Sequence, residues 1–155
     1  GLVGSEMCIR DRSGEMMAGI KRTPADIAFS LCIRERSDWT CERCGTKYET
    51  NSRGLECSHY HTRGKWGVRF HSLNAESLCT GCHFLEGGLK RADRNLTEFQ
   101  LDVLTDLVND TKLGREIRKT KGKGEIAKHF RQQHKLMQEK RSQGIKGRLD
   151  FEDYI

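Results

Sequence analysis

Periodic apolar positions begin at Thr23-Pro24, where a threonine N-cap, a proline at the first helical position and Asp26 in the first turn predict a helix start. Ile27, Leu31 and Arg34 share one face with Ala28 and Cys32 beside them, so an amphipathic helix running to about Ser37 is expected to pack on the region after it. Cys32 then reads as a small core residue. From Trp39 to about Gly88 the pattern changes to cysteine pairs, glycines and short extended runs. Leu55 to His61 alternates as a strand, placing 55, 57, 59 and 61 on one side, with Val68-Arg69-Phe70 as its expected partner across a 62–67 loop. Leu78 through Leu85 should open a helix. A further helix is expected from Thr97, where Thr97-x-x-Gln100 forms a capping box and Leu96 with Leu101 a hydrophobic staple. Its apolar stripe is Phe99, Val103, Leu104, Leu107 and Val108, and Gly114 offers a stop. The last helix, about Glu125 to Gln143, has only Ile126, Phe130 and Met137 as a thin stripe, so it is expected to be weakly held and to order on a partner.

The pattern gives an α+β chain of one domain's length, 155 residues. It divides into a leader foreign to the fold (1–15, with a natural start at Met16 or Met17), an N-terminal helix (16–38), a compact module (39–94) and a helical, basic extension (95–155). Apolar residues make up 35% and charged residues 32%, so something besides burial should help hold the fold. Absence of any long apolar run argues against a membrane span or signal-peptide core and for a cytoplasmic protein, in a host cell if phage-encoded.

Seven cysteines could supply the missing stability. Cys41-x-x-Cys44 and Cys79-x-x-Cys82 are two close pairs with a long insert, the pattern of a tetrahedral zinc site built from two knuckles. The alternatives are redox CxxC motifs or a disulfide framework, which would need a thioredoxin-like βαβ context or an oxidising compartment. Net charge is +6, yet thirteen Lys and Arg between Lys112 and Arg148 face only Glu116, Glu125 and Glu139. Such a one-sided segment suits a polyanion, since neutralised phosphates release counterions; a solvated helix face is the plain alternative. No membrane partner and no organic cofactor are expected.

Within LECSHYHTRGKWGVRFHSLNAESLCTGCH, residues 55–83, the order His59, Asn74, His83 bracketed by CxxC pairs resembles the HNH nucleases with a ββα-metal fold. More narrowly, Asp38-Trp39-Thr40-Cys41-Glu42-Arg43-Cys44-Gly45, Cys57-Ser58-His59-Tyr60 and Asn95-x-x-Glu98-Phe99 resemble bacteriophage proteins related to the NinG recombination family, over about residues 20–150. The resemblance implies a small zinc-stabilised ββα-metal module flanked by an N-terminal helix and C-terminal helices. It implies hydrolysis of DNA phosphodiesters, at branched or nicked recombination intermediates.

Phosphodiester cleavage needs a deprotonated water in line with the leaving oxygen, and a neutral imidazole can take that proton, a role expected of His59. By resemblance, Asn74 fastens the loop through amide hydrogen bonds, and His83 binds a catalytic divalent cation (Mg²⁺, Mn²⁺ or Zn²⁺) that stabilises charge on the phosphorane. The four cysteines hold a separate structural zinc. Many relatives carry an acidic residue or histidine as metal ligand where this chain has Ser58, so Cys57, Ser58 and His61 are the candidates for a second ligand. Arg63, Lys65 and Arg69 in the adjoining loop, and Lys121, Lys123, Lys128 and Arg131 in the basic segment, are expected to contact phosphates. Trp66 either stacks on a base or packs inside, and His71 is expected to face solvent. Rival readings are a zinc-finger DNA-binding module without catalysis and an RNA-binding zinc-knuckle protein. Oligomeric state is not legible.

Overall fold

The computed structural model describes residues 21–88 and 95–155; the expected leader, 1–15, lies outside them, as do residues 16–20 and 89–94. The first helix, α1 (Pro24–Arg36), starts where its sequence says. Thr23 Oγ accepts the Asp26 N–H at 3.2 Å while the Asp26 carboxylate accepts the Thr23 N–H at 2.8 Å, so two otherwise orphan amides are satisfied. Its buried face is Ala25, Ala28, Phe29, Cys32 and Ile33, rotated from the expected stripe, and Ile27 lies outside it, 51% exposed. The rotation follows Phe29, whose ring meets Phe130 at 5.2 Å and Phe70 at 6.2 Å. Cys32 is buried as expected, its thiol donating to the Phe130 carbonyl at 3.2 Å, and burial pushes its pKa up to about 12.

After α1 the chain runs into a two-stranded antiparallel sheet, β1 (Leu55–His59) with β2 (Ala75–Cys79), followed directly by α2 (Thr80–Gly88). The strand partner is therefore Ala75–Cys79 and not Val68–Phe70, and Leu78 belongs to β2 and not to a helix. Residues 62–71 are a succession of tight turns, with Val68, Arg69 and His71 amides bonded to the Lys65, Trp66 and Val68 carbonyls. Two facts exclude a strand there. Arg69 is fully buried on Asp26, and Gly67 lies so close to the Leu107 carbonyl that a β-carbon would sit 2.5 Å from it. A 3₁₀ turn, Ser72–Asn74, then leads into β2.

Helix α3 (Glu98–Asn109) carries the expected capping box at Thr97, though Phe99 is 76% exposed and Leu104 alone is fully buried. Gly114 does not stop it: Asp110 ends α3 and, by accepting the Leu113 N–H, caps α4 (Thr111–Lys119), which contains Gly114. The largest correction is α5 (Glu125–Ser142), which is a principal element of the core and packs mainly on α1. Ile126, Ala127, Phe130 and Met137 are buried in one cluster with Ala25, Phe29, Ile33 and Phe70. Below them the stripe continues in polar groups: His134 and Arg141 both reach the Glu35 carboxylate, at 3.2 and 3.1 Å. A second, smaller cluster of Trp39, Cys41, Leu55 and Leu78 lies at the other end of the hairpin. The C-terminal segment folds back, with Leu149 and Phe151 on the main cluster and the Asp153 carboxylate taking the Ser72 N–H and hydroxyl at 2.7 Å each. No helix among the described residues is long and apolar enough to cross a membrane.

Candidate functional site

Four cysteines converge. The Sγ atoms of Cys41, Cys44, Cys79 and Cys82 all lie within 4.8 Å of one another, with Cys44 and Cys79 3.9 Å apart. Sulfurs at the corners of a tetrahedron with Zn–S of about 2.3 Å would be roughly 3.8 Å apart, so the group is sized for one zinc ion. In each pair the second cysteine's backbone N–H points at the first sulfur, at 3.5 Å for Cys44 on Cys41 and 3.4 Å for Cys82 on Cys79. The thiols are in electrostatic conflict: the Thr46 hydroxyl pulls Cys44 down to about 6, while Cys79 holds Cys82 up to about 12. A divalent cation would resolve that conflict, because it favours the thiolate at every corner. The first pair is also fixed to the free edge of β2, since Glu42 N–H donates to the Ser77 carbonyl at 2.8 Å and the Glu42 carboxylate accepts the Ser77 N–H at 2.7 Å.

His59 ends β1 opposite Ala75, whereas Cys79 of the cysteine cluster pairs with Leu55. Four strand residues separate them, roughly 13 Å at about 3.3 Å per residue, so the cysteine cluster is a staple distant from the imidazole. The His59 ring lies 5.9 Å from Phe29, and its Nε2 is 3.2 Å from the Arg69 carbonyl. A carbonyl only accepts, so Nε2 carries the proton and Nδ1 keeps the lone pair. Burial, reinforced by the Arg63 charge, pushes this histidine down to about 4, so the ring is neutral at pH 7.

The Arg69 carbonyl is held from below. Its guanidinium is 0% exposed, forks onto Asp26 at 2.6 and 3.0 Å, donates to the Arg63 and Lys21 carbonyls, and stacks on Trp66 at 4.1 Å. Burial alone would raise the Asp26 pKa, yet the Arg69 hydrogen bonds and charge bring it below the usual carboxylate value. Arg69 is thus an internal strut and not a phosphate contact, and Trp66 packs against the core. Asn74, fully buried, holds the neighbouring residue: its Oδ1 accepts the His61 N–H at 2.8 Å and its Nδ2 donates to the His61 carbonyl at 3.0 Å. His71, expected in solvent, is internal to this frame; its Nδ1 accepts the Leu73 N–H at 3.2 Å and its Nε2 lies 3.7 Å from Asp153.

His83 is placed differently. Its Nδ1 is 2.8 Å from the carboxylate of Glu56, which sequence reasoning passed over because Glu56 lies outside the His-Asn-His order. Strand alternation turns Glu56 and Ser58 away from the face that carries Cys57 and His59. Glu56 and His59 are also three residues apart along β1. The structure therefore brings His59 together with Arg69 and Asp26, beside the loop that Asn74 clamps, and pairs His83 with Glu56. Ser58 is buried, and Cys57 packs against the main cluster. Among the described residues, the cysteine cluster is the single group of three or more His, Cys, Asp or Glu side chains arranged to hold an ion. Of the candidates for a catalytic cation, His83, Cys57 and His61 form no such group, and Ser58 shares the strand face of Glu56, the partner of His83.

Of the expected phosphate contacts, Lys65, Lys121, Lys123, Lys128 and Arg131 are exposed, and Arg63 is half-buried with Nη1 3.7 Å from Asp26. Compared with known proteins, the chain matches no family model, no curated protein and no solved structure.

Proposed function

We propose that this chain is a zinc-stapled, HNH-like nuclease that hydrolyses DNA phosphodiester bonds, with His59 as the general base. The observation that carries the reading is the Nε2 contact of His59 with the Arg69 carbonyl in a ring held neutral by its surroundings. A base must be unprotonated, and its lone pair must lie on a fixed atom; the carbonyl contact supplies the second condition by leaving Nδ1 as the acceptor. Asn74 supports the geometry by clamping the backbone of His61, two residues on. The role is that of taking a proton from the attacking water, while exposed cations around the site hold the phosphate diester. A divalent ion, when bound, would supply charge stabilisation at the phosphorane. Among the described residues the four cysteines form the single ion-sized group of three or more His, Cys, Asp or Glu, so no step of the mechanism is assigned to that ion.

Ser58, standing where many HNH nucleases carry an acidic or histidine ligand, favours a second reading, a zinc-stapled DNA-binding module that does not cut. One experiment separates the two. Zinc-loaded protein is incubated with supercoiled plasmid and Mg²⁺ or Mn²⁺, beside His59→Ala protein shown to keep its zinc. Nicking by the parent, abolished in the variant, supports the nuclease; plasmid binding without nicking in any divalent ion supports the module. Selective binding of single-stranded RNA would remove both.

A further inference from the structure

The fold gathers three basic segments that are far apart in the sequence. Lys21 and Arg22 precede α1, Arg63 and Lys65 lie in the turns after β1, and Lys121 and Lys123 flank Gly122 between α4 and α5. The first two are joined through Arg69, whose Nη2 donates to the Lys21 carbonyl at 3.1 Å and Nη1 to the Arg63 carbonyl at 3.2 Å. The third is joined to the first by the Ala25 N–H, which donates to the Gly122 carbonyl at 2.9 Å. Gly122 presses on the Thr23 side chain so closely that no β-carbon fits, and its φ is +66°. Lys121 also has a left-handed backbone, φ +53°, uncommon for a residue with a side chain. This turn is therefore locked in an unfavourable conformation at the N-terminal end of α1, and it presents two lysines there.

Lys21, Arg22, Lys65, Lys121 and Lys123 are all exposed, and the carboxylate beneath them, Asp26, is taken by the buried Arg69. The interior thus removes the acid that would otherwise neutralise the surface. His59 is adjacent, its Nε2 lying 3.2 Å from the carbonyl of Arg69, the residue that joins the first two segments. By contrast Lys128, Arg131 and Lys135 recur along α5 on the side away from the buried Ile126, Ala127, Phe130 and Met137, and so face away from α1.

We infer that the rim formed by Lys21, Arg22, Lys65, Lys121 and Lys123 at the N-terminal end of α1 is the surface on which the backbone of duplex DNA docks, and that the basic outer face of α5 is not. This inference rests on the proposed nucleic-acid function and gives it a location. Charge complementarity selects the partner, because five cations from three segments match a rod of regularly spaced phosphates better than a single small anion.

The test measures duplex affinity against salt in EDTA-free buffer without added divalent metal, where binding is separate from cutting. Each phosphate contact contributes about 0.9 to the slope of log K on log salt. Lys65→Ala/Lys121→Ala/Lys123→Ala should flatten that slope by about 3, while Lys128→Ala/Arg131→Ala/Lys135→Ala should leave it unchanged. All six positions are exposed, and an unchanged helical circular-dichroism signal and melting temperature check that both variants are folded. A flattened slope in the α5 variant with none in the rim variant overturns the location while preserving the DNA reading. Absence of duplex binding by the parent chain at low salt overturns both.

Discussion

Removing the metal from the cysteine cluster should dissolve one end of this molecule and spare the other. The smaller cluster buries Trp39, Cys41, Leu55 and Leu78. Four such side chains contribute roughly 6–12 kcal/mol at about 1.5–3 kcal/mol each. Ordering the backbone costs about 1–2 kcal/mol per residue, and residues 39–60 exceed twenty, so apolar burial alone cannot hold this end. A structural zinc on thiolates supplies about 10–16 kcal/mol, a contribution as large as the apolar burial itself. The main cluster includes none of the four clustered cysteines and is built largely from α1 against α5. Chelation under reducing conditions should therefore release four thiols and expose Trp39, now 1% exposed, while most helical signal persists. In a Trp66→Phe background the fluorescence reports Trp39 alone, and amide exchange at 55–59 and 75–79 reports the hairpin. Trp39 still buried and the hairpin still protected in metal-free protein would refute the staple. Simultaneous loss of all helix would refute the division into two cores.

Two further outcomes rest on the packing and the charges. Phe130→Ala should cost about 3–5 kcal/mol, because the ring is 0% exposed and meets Phe29, Phe70 and Phe151 at 5.2, 6.3 and 6.1 Å. Leu136→Ala, on the exposed side of the same helix, should cost under about 0.5 kcal/mol in the same denaturant titration; equal costs would mean α5 is appended and not core. His59 should make stability fall with acid: its folded value of about 4 lies below the ordinary 6.5, so the unfolded chain binds more protons between those values. Its contribution is intact above pH 6.5 and is lost progressively toward pH 4, by at most about 3 kcal/mol. His59→Gln should flatten that part of the pH profile relative to the parent; an unchanged profile would show that the ring is not desolvated.

What could be read in the sequence was local. The N-cap at Thr23 and the capping box at Thr97 formed as their side chains dictate, and the two CxxC spacings led to one cluster. Cys32 was legible because a lone thiol amid apolar spacing has little else to do. The failures share a cause, which is partners distant in sequence. Val68-Arg69-Phe70 reads as extended because its ends are apolar, but Arg69 is neutralised by Asp26, 43 residues earlier, and that contact curls the segment into turns. Counting apolar residues underrated α5, since two polar positions of its inner side, His134 and Arg141, are satisfied by Glu35, about a hundred residues away. Glu56 beside His83 was missed for the same reason: the pairing crosses from strand to helix and follows no motif.

These distant pairings suggest why a chain with so many charges needs a metal staple. Arg36, Arg69 and Arg141 are drawn inward onto backbone carbonyls and the carboxylates of Asp26 and Glu35. Buried ion pairs of this kind contribute little net stability, because desolvation offsets most of the attraction, but they fix which partner each element must meet. In the hairpin Arg36 grips the Ala75 carbonyl at the start of β2, where a slip of one residue would exchange the faces of Ser58 and His59. The cysteine cluster adds anchors further along. It ties Cys79 at the end of β2 to the first pair, whose Glu42 is hydrogen-bonded to Ser77 in the middle of the same strand. A shift of β2 would have to break both. The staple thus acts on the imidazole from roughly 13 Å away, by fixing the strand pairing that keeps His59 on the same side as Arg69.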